Sequence, residues 1–119
     1  MSIKTSKILI PIDFSDQSMY ALSQACSLAQ TKNSKIYMLS VIEEQNKISS
    51  LFLDDQTDML QNKVKSKLNQ ISSDMHFKYN IDIEVMVAKG KVYNQIIEVS
   101  KMISTDLIVM GTTGSPKEG

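Results

Sequence analysis

Residues 7–12 read Lys-Ile-Leu-Ile-Pro-Ile, and this run constrains the fold more than any other segment. A strand with one wet face alternates apolar and polar residues; this one has no polar face, so it needs cover on both sides. A central strand of a parallel sheet flanked by helices meets that need. Pro11 has no N–H to give to a ladder, so it belongs at the strand's C-terminal end.

The rest of the chain supplies the covering layers. Ser15 or Asp16 caps a helix whose Ser18, Ala21, Leu22, Ala25, Leu28 and Ala29 recur at three- and four-residue spacing. Lys35 to Val41 is a second strand, and Glu43 to Asp55 is a polar loop interrupted by Leu51-Phe52-Leu53. From Thr57, Leu60, Val64, Leu68, Ile71 and Met75 mark one face of a long amphipathic helix. Ile81, Ile83, Val85 and Val87 alternate with Asp82, Glu84 and Met86, which predicts a third strand at a sheet edge, ended by Gly90. Val92, Ile96, Ile97, Ser100 and Ile103 outline a third helix, and Asp106 to Met110 reads as a buried fourth strand. The order βαβαβαβ implies one α/β domain, a parallel sheet with helices on both faces.

Composition narrows the function classes. The 119 residues carry thirteen basic and thirteen acidic side chains, without the basic face or tail of a nucleic-acid-binding protein. Every basic residue is lysine. Without arginine there is no bidentate phosphate fork and no arginine finger, so a phosphate would rest on backbone N–H groups, hydroxyls and lysine. Cys26 is the single cysteine, which excludes an internal disulfide and a cysteine-based zinc site and fits a reducing compartment. No stretch approaches the roughly 20 apolar residues of a membrane span, and the N-terminus lacks a signal-peptide core. These features predict a cytoplasmic protein with no membrane partner. Cys26 reads as a small packing residue, His76 as a solvated surface histidine, and Lys63, Lys65 and Lys67 as a solvated helix face.

Ligands of open parallel sheets bind beyond the carboxyl ends of the strands, where strand order reverses. Two segments compete for that position: Pro11-Ile12-Asp13-Phe14-Ser15 after the first strand, and Gly111-Thr112-Thr113-Gly114-Ser115 after Met110. If the two strands are neighbours, both segments form one site. Asp13 then accepts hydrogen bonds from a ribose or adenine edge, while glycine lets the second loop's backbone approach a phosphate closely. Neither Gly-x-Gly-x-x-Gly nor Gly-x-x-x-x-Gly-Lys-Ser/Thr occurs, so an ordinary dehydrogenase or P-loop ATPase is not expected.

The segments Ile8 to Ser15, Ser18 to Ala29, Leu39 to Ile42, Gly90 to Ile96 and Asp106 to Gly114, taken together and in this order, resemble the universal stress protein family. The resemblance spans almost the whole chain. It implies a three-layer α/β/α Rossmann-like sheet of order 3-2-1-4-5, like that of the adenine nucleotide alpha hydrolases, and in the ATP-binding branch a nucleotide between the first and fourth strand ends. Pro11, Ile12 and Asp13 would then line the adenosine, Val41 would border the adenine, and Gly111 and Gly114 would open the phosphate loop. Met110, Thr112 and Ser115 complete the candidate set, with ATP, alone or with Mg, as the ligand. The family pattern Gly-x2-Gly-x9-Gly-Ser/Thr has its first half at Gly111 and Gly114, and its second half falls beyond Gly119. Residues 1–119 are thus expected to be a single domain lacking the family's last helix and fifth strand, with the intact protein a homodimer.

The function implied is regulatory binding of an adenine nucleotide in a stress response, without dedicated catalysis, because no general base or metal cluster accompanies the phosphate loop. A family member that binds no nucleotide and serves as a protein-interaction module is the alternative. A phosphoryl-accepting receiver would need an aspartate after the third strand, where this chain has Val87-Ala88-Lys89.

Overall fold

The computed structural model describes residues 5–43 and 54–111. In chain order these form β1 (Lys7–Pro11), α1 (Asp16–Lys32), β2 (Lys35–Ile42), α2 (Asp54–Tyr79), β3 (Asp82–Lys89), α3 (Val92–Ile103) and β4 (Leu107–Ile108). The four strands pair in parallel in the order β3-β2-β1-β4. β1 is therefore central and β3 is an edge, as its polar alternation requires.

Strand alternation divides the core in two. Ile8, Ile10, Ile12, Ile36 and Met38 meet Leu22, Ala25, Cys26 and Ala29 of α1 and Leu68 of α2 on one face. Leu9, Tyr37 and Leu39 meet Ile96 and Val99 of α3 on the other. Adjacent residues of β1 thus point to opposite, equally apolar layers, which is why its sequence shows no polar period. The result is a three-layer α/β/α sandwich.

The helix ends follow local chemistry. Ser15 caps α1, its hydroxyl accepting the Ser18 N–H at 3.1 Å, and Asn33 closes the helix at φ 54°. The Lys7 ammonium donates to the Ile103 carbonyl at 2.9 Å, where the α3 dipole is negative. The Lys7 backbone N–H donates to Asp106 Oδ2 at 2.8 Å, which fixes the start of β4 beside β1.

Four local expectations change. On α1, Leu28, expected on the packed face, is 36% exposed, while Cys26 is fully buried as a small packing residue should be; they lie on opposite flanks of the apolar stripe, and the Cys26 flank faces the core shared with α2. On α3 the buried stripe runs through Ile96 and Val99, whereas Ile97 is 51% exposed, because it lies off the line joining Val92, Ile96, Val99 and Ile103. α2 begins at Asp54, before Thr57. β4 is regular only over Leu107–Ile108, and it is not buried: Leu107, Ile108 and Met110 are each 39–44% exposed. Among the described residues this strand has β1 as its single neighbour, so half its backbone and much of its side-chain surface lack cover. The loop segment 44–53, including Leu51-Phe52-Leu53, lies outside the described residues.

Burial pushes the Cys26 thiol up to about 11. At pH 8 only about one thiol in a thousand is then ionised. Native protein should accordingly react with an aromatic disulfide reagent no faster than it opens, and stoichiometrically in guanidinium. Fast reaction of the folded chain would contradict the packing described.

Candidate functional site

The carboxyl ends of β1, β2 and β4 and the first turns of α1 and α3 enclose a cavity of about 530 Å³, within the size range of small-molecule sites. Its position follows from strand order. β1 leads to α1 on one face of the sheet, while its neighbour β4 follows α3 on the other, so the connections diverge and leave a crevice between them.

Each wall has a local cause. The exit of β1 is stitched to β2: Ile12 N–H donates to the Leu39 carbonyl at 2.7 Å, and the buried Ser40 hydroxyl donates to the Ile12 carbonyl at 2.7 Å. Asp13 follows, exposed to solvent, with Oδ1 accepting the Ser15 N–H at 2.9 Å. The Ser15 hydroxyl and backbone N–H hold the Asp13 carboxyl below its ordinary value, against a small opposing effect of burial. Asp13 is therefore a carboxylate at neutral pH, able to accept hydrogen bonds but not to donate one.

On the opposite side, Gly90 turns the chain from β3 into α3 at φ 137°, a conformation that favours glycine, and its N–H bonds the Ile42 carbonyl at 3.0 Å. That turn aims the first residues of α3, Lys91 to Asn94, at the cavity. Lys91 caps α3 without a side-chain hydrogen bond, so the positive end of this helix is uncapped by a side chain beside the site. Glu43, at the end of β2, adds a second carboxylate to the rim.

Gly111 occupies the third side. A Cβ built on it would lie 2.6 Å from both the carbonyl carbon and oxygen of Gln17 and 2.8 Å from the Ser18 nitrogen. From sequence, glycine here lets the loop backbone approach a phosphate; the structure adds that a side chain at this position would meet the backbone of the first turn of α1. The loop after β4 thus rests directly on the helix that follows β1, which brings the two candidate segments together.

Of the residues singled out from sequence, Pro11, Ile12, Asp13, Val41, Met110 and Gly111 all line this cavity. Thr112, Gly114 and Ser115 lie outside the described residues. Sequence reading did not single out Gln17 and Ser18 of α1, Glu43, or Lys91 to Asn94 as site residues. Only the uncapped start of α3 after Gly90 could have signalled the last group. His76 lies elsewhere: it is exposed, as expected of a surface histidine, and its Nδ1 is 2.7 Å from the Ile81 carbonyl. Among the described residues no group of three or more His, Cys, Asp or Glu could hold a metal ion, and no helix is long and apolar enough to cross a membrane.

Comparison with known proteins agrees with this architecture. The model of the universal stress protein family matches residues 4–119. Universal stress protein MJ0531 of Methanocaldococcus jannaschii is 29% identical over 91% of this chain, which spans 65% of that relative's length. The structure of universal stress protein UspA from Lactobacillus plantarum superposes with a TM-score of 0.80 at 22% identity, covering 98% of this chain and 83% of that one. A universal stress protein solved in complex with cAMP superposes with a TM-score of 0.61 at 16% identity, covering 87% of this chain and 69% of the other. By its family match over nearly the whole length and by its fold, this chain belongs to the universal stress protein family.

Proposed function

We propose that the chain binds an adenine nucleotide as a regulatory ligand in the cavity at the β1 and β4 ends, and that it does not turn the ligand over as a dedicated enzyme. The observation that carries this reading is the convergence of Asp13, Val41, Met110 and Gly111 on one crevice of nucleotide size. Val41, Leu39 and Ile96 offer an apolar wall to a base, and the Asp13 carboxylate offers an acceptor to ribose hydroxyls. Lys91 and the start of α3 supply positive potential for phosphate, as does the loop from Gly111 through Gly114 and Ser115 in this reading. ATP fits that donor set as the ligand, with or without Mg. The cAMP complex of a family member supports adenine as the base. The lack of arginine in these 119 residues leaves no arginine finger, which supports binding over phosphoryl transfer.

Calorimetry of the full chain with adenosine, ATP and guanosine tests the reading. Saturable binding of both adenine compounds, with guanosine weaker, is expected. Failure of every adenine compound to bind would favour the protein-interaction module instead.

The same reading includes a cytoplasmic homodimer in a stress response. The homodimer rests on the edge of β4, where Leu107 and Ile108 stay more than a third exposed. Light scattering after size exclusion should give the mass of two chains, and replacing Ile108 by lysine should halve it. A monomer at every concentration tested would refute the dimer.

A further inference from the structure

The turn that carries Asp13 meets α2 through Phe14. Phe14 sits at φ 65°, in the left-handed region that a bulky residue occupies only when its surroundings impose it. This conformation accompanies the return of the Ser15 N–H to Asp13 Oδ1 at 2.9 Å. The Phe14 ring packs against the core layer formed by β1, α1 and α2. The Lys67 ammonium of α2 stands 4.6 Å from the ring centroid, well inside the distance at which an aromatic face attracts a cation. By sequence, Lys67 was one of three lysines on a solvated helix face; among the described residues, Lys63 and Lys65 make no such ring contact.

We propose that Lys67 is a positioning residue for the Asp13 carboxylate: its ammonium, seated at the Phe14 ring, holds Phe14 in the left-handed conformation and so fixes how Asp13 meets the cavity. The ligand side of this inference rests on the adenine-nucleotide reading; the geometric side does not. Lys67 is exposed and lies on a different helix from the site, so it acts on ligand affinity through Phe14 rather than by contact. It also makes α2 a route by which a change of charge on the protein's outer surface reaches the binding turn.

The test is a cycle of Lys67→Met, Phe14→Leu and the double variant, with Lys67→Arg as the conservative control. Two quantities are read in each: the adenosine dissociation constant by calorimetry, and the pH titration of the Asp13 side-chain carboxyl by carbon NMR. Adenosine is uncharged, so loss of a distant cation from the protein's field does not by itself weaken its binding. Lys67→Met should weaken adenosine about two- to fivefold and move the Asp13 titration toward the ordinary carboxylate range. Lys67→Arg should retain wild-type values in both, and Lys67→Met should add nothing in the Phe14→Leu background. Unchanged affinity and titration in Lys67→Met would overturn the proposal, as would an equal effect with the ring absent. If adenosine binds no form of the protein, the nucleotide reading fails, and the Asp13 titration across the same four variants still decides the role of Lys67.

Discussion

Gly111→Val is expected to weaken adenosine and ATP binding at least about tenfold and to lower the thermal midpoint of the chain. The first side-chain atom alone would lie 2.6 Å from the carbonyl group of Gln17 and 2.8 Å from the Ser18 nitrogen. Backbone atoms inside a capped helix cannot swing aside as a flexible side chain can, so the loop after β4 must move away from α1. Overpacking of this kind costs about 1–3 kcal/mol. The shift opens the crevice on the side where the candidate segments meet, and misplacing one wall of a site separates contacts that a ligand must make together. Gly111→Ala should show the same changes in smaller measure, since it meets the same backbone with one carbon. Calorimetry and thermal denaturation on the same samples check both. Wild-type affinity in Gly111→Val would remove the loop from the site.

Asp13→Asn should weaken adenosine about tenfold while leaving the fold intact. Asparagine keeps an oxygen that can accept the Ser15 N–H, now at 2.9 Å from Oδ1, but loses the charge. A hydrogen bond to an ionised acceptor contributes roughly 1.5–3 kcal/mol against 0.5–1.5 for a neutral one. Adenosine is the informative probe, because removing an anion near phosphates offsets part of the loss with ATP. The same charge sets the pH dependence. Ser15 depresses the Asp13 value in the folded chain, so its stabilising effect is fully present above the unfolded carboxylate value and is lost as pH falls through the folded one. Adenosine affinity should therefore be flat through neutral and mildly acidic pH and decline only below the ordinary carboxylate range. A decline centred near neutrality, or an asparagine variant with unchanged affinity, would assign recognition to another group.

Much of this architecture was legible because burial on both faces leaves a mark that nothing else leaves. Ile8, Leu9 and Ile10 are each at most 1% exposed, and an uninterrupted apolar run is the sequence form of that fact. The edge position of β3 was legible for the converse reason, since Asp82 and Glu84 alternate with apolar neighbours. Flanks of helices were not legible. Cys26 and Leu28 lie on opposite sides of one stripe, and which side meets α2 is decided by tertiary packing rather than by spacing. β4 looked buried because its residues are apolar, yet burial belongs to neighbours and not to composition, and one described neighbour leaves Leu107 and Ile108 exposed.

In the candidate site, side chains that announce chemistry were readable and backbone placement was not. Asp13 stands after a central strand, where a carboxylate draws attention. Lys91 to Asn94 reach the same cavity only because Gly90 turns α3 toward it, which depends on strand order. The contact that requires glycine at 111 was hidden for the same cause: its partner, the first turn of α1, is about a hundred residues away in sequence and touches it only in the fold.

Whether an adenine nucleotide binds at the β1 and β4 ends is decided by a titration of the isotope-labelled full chain with adenosine and with ATP, following backbone amide resonances. Saturable shifts are expected in Asp13 to Ser18, Val41, Lys91 to Asn94 and Met110 to Gly111, with the opposite end of the sheet around Asn33, His76 and Asn80 unchanged. Absence of saturable shifts, or shifts centred on that opposite end, would contradict binding at the β1 and β4 ends.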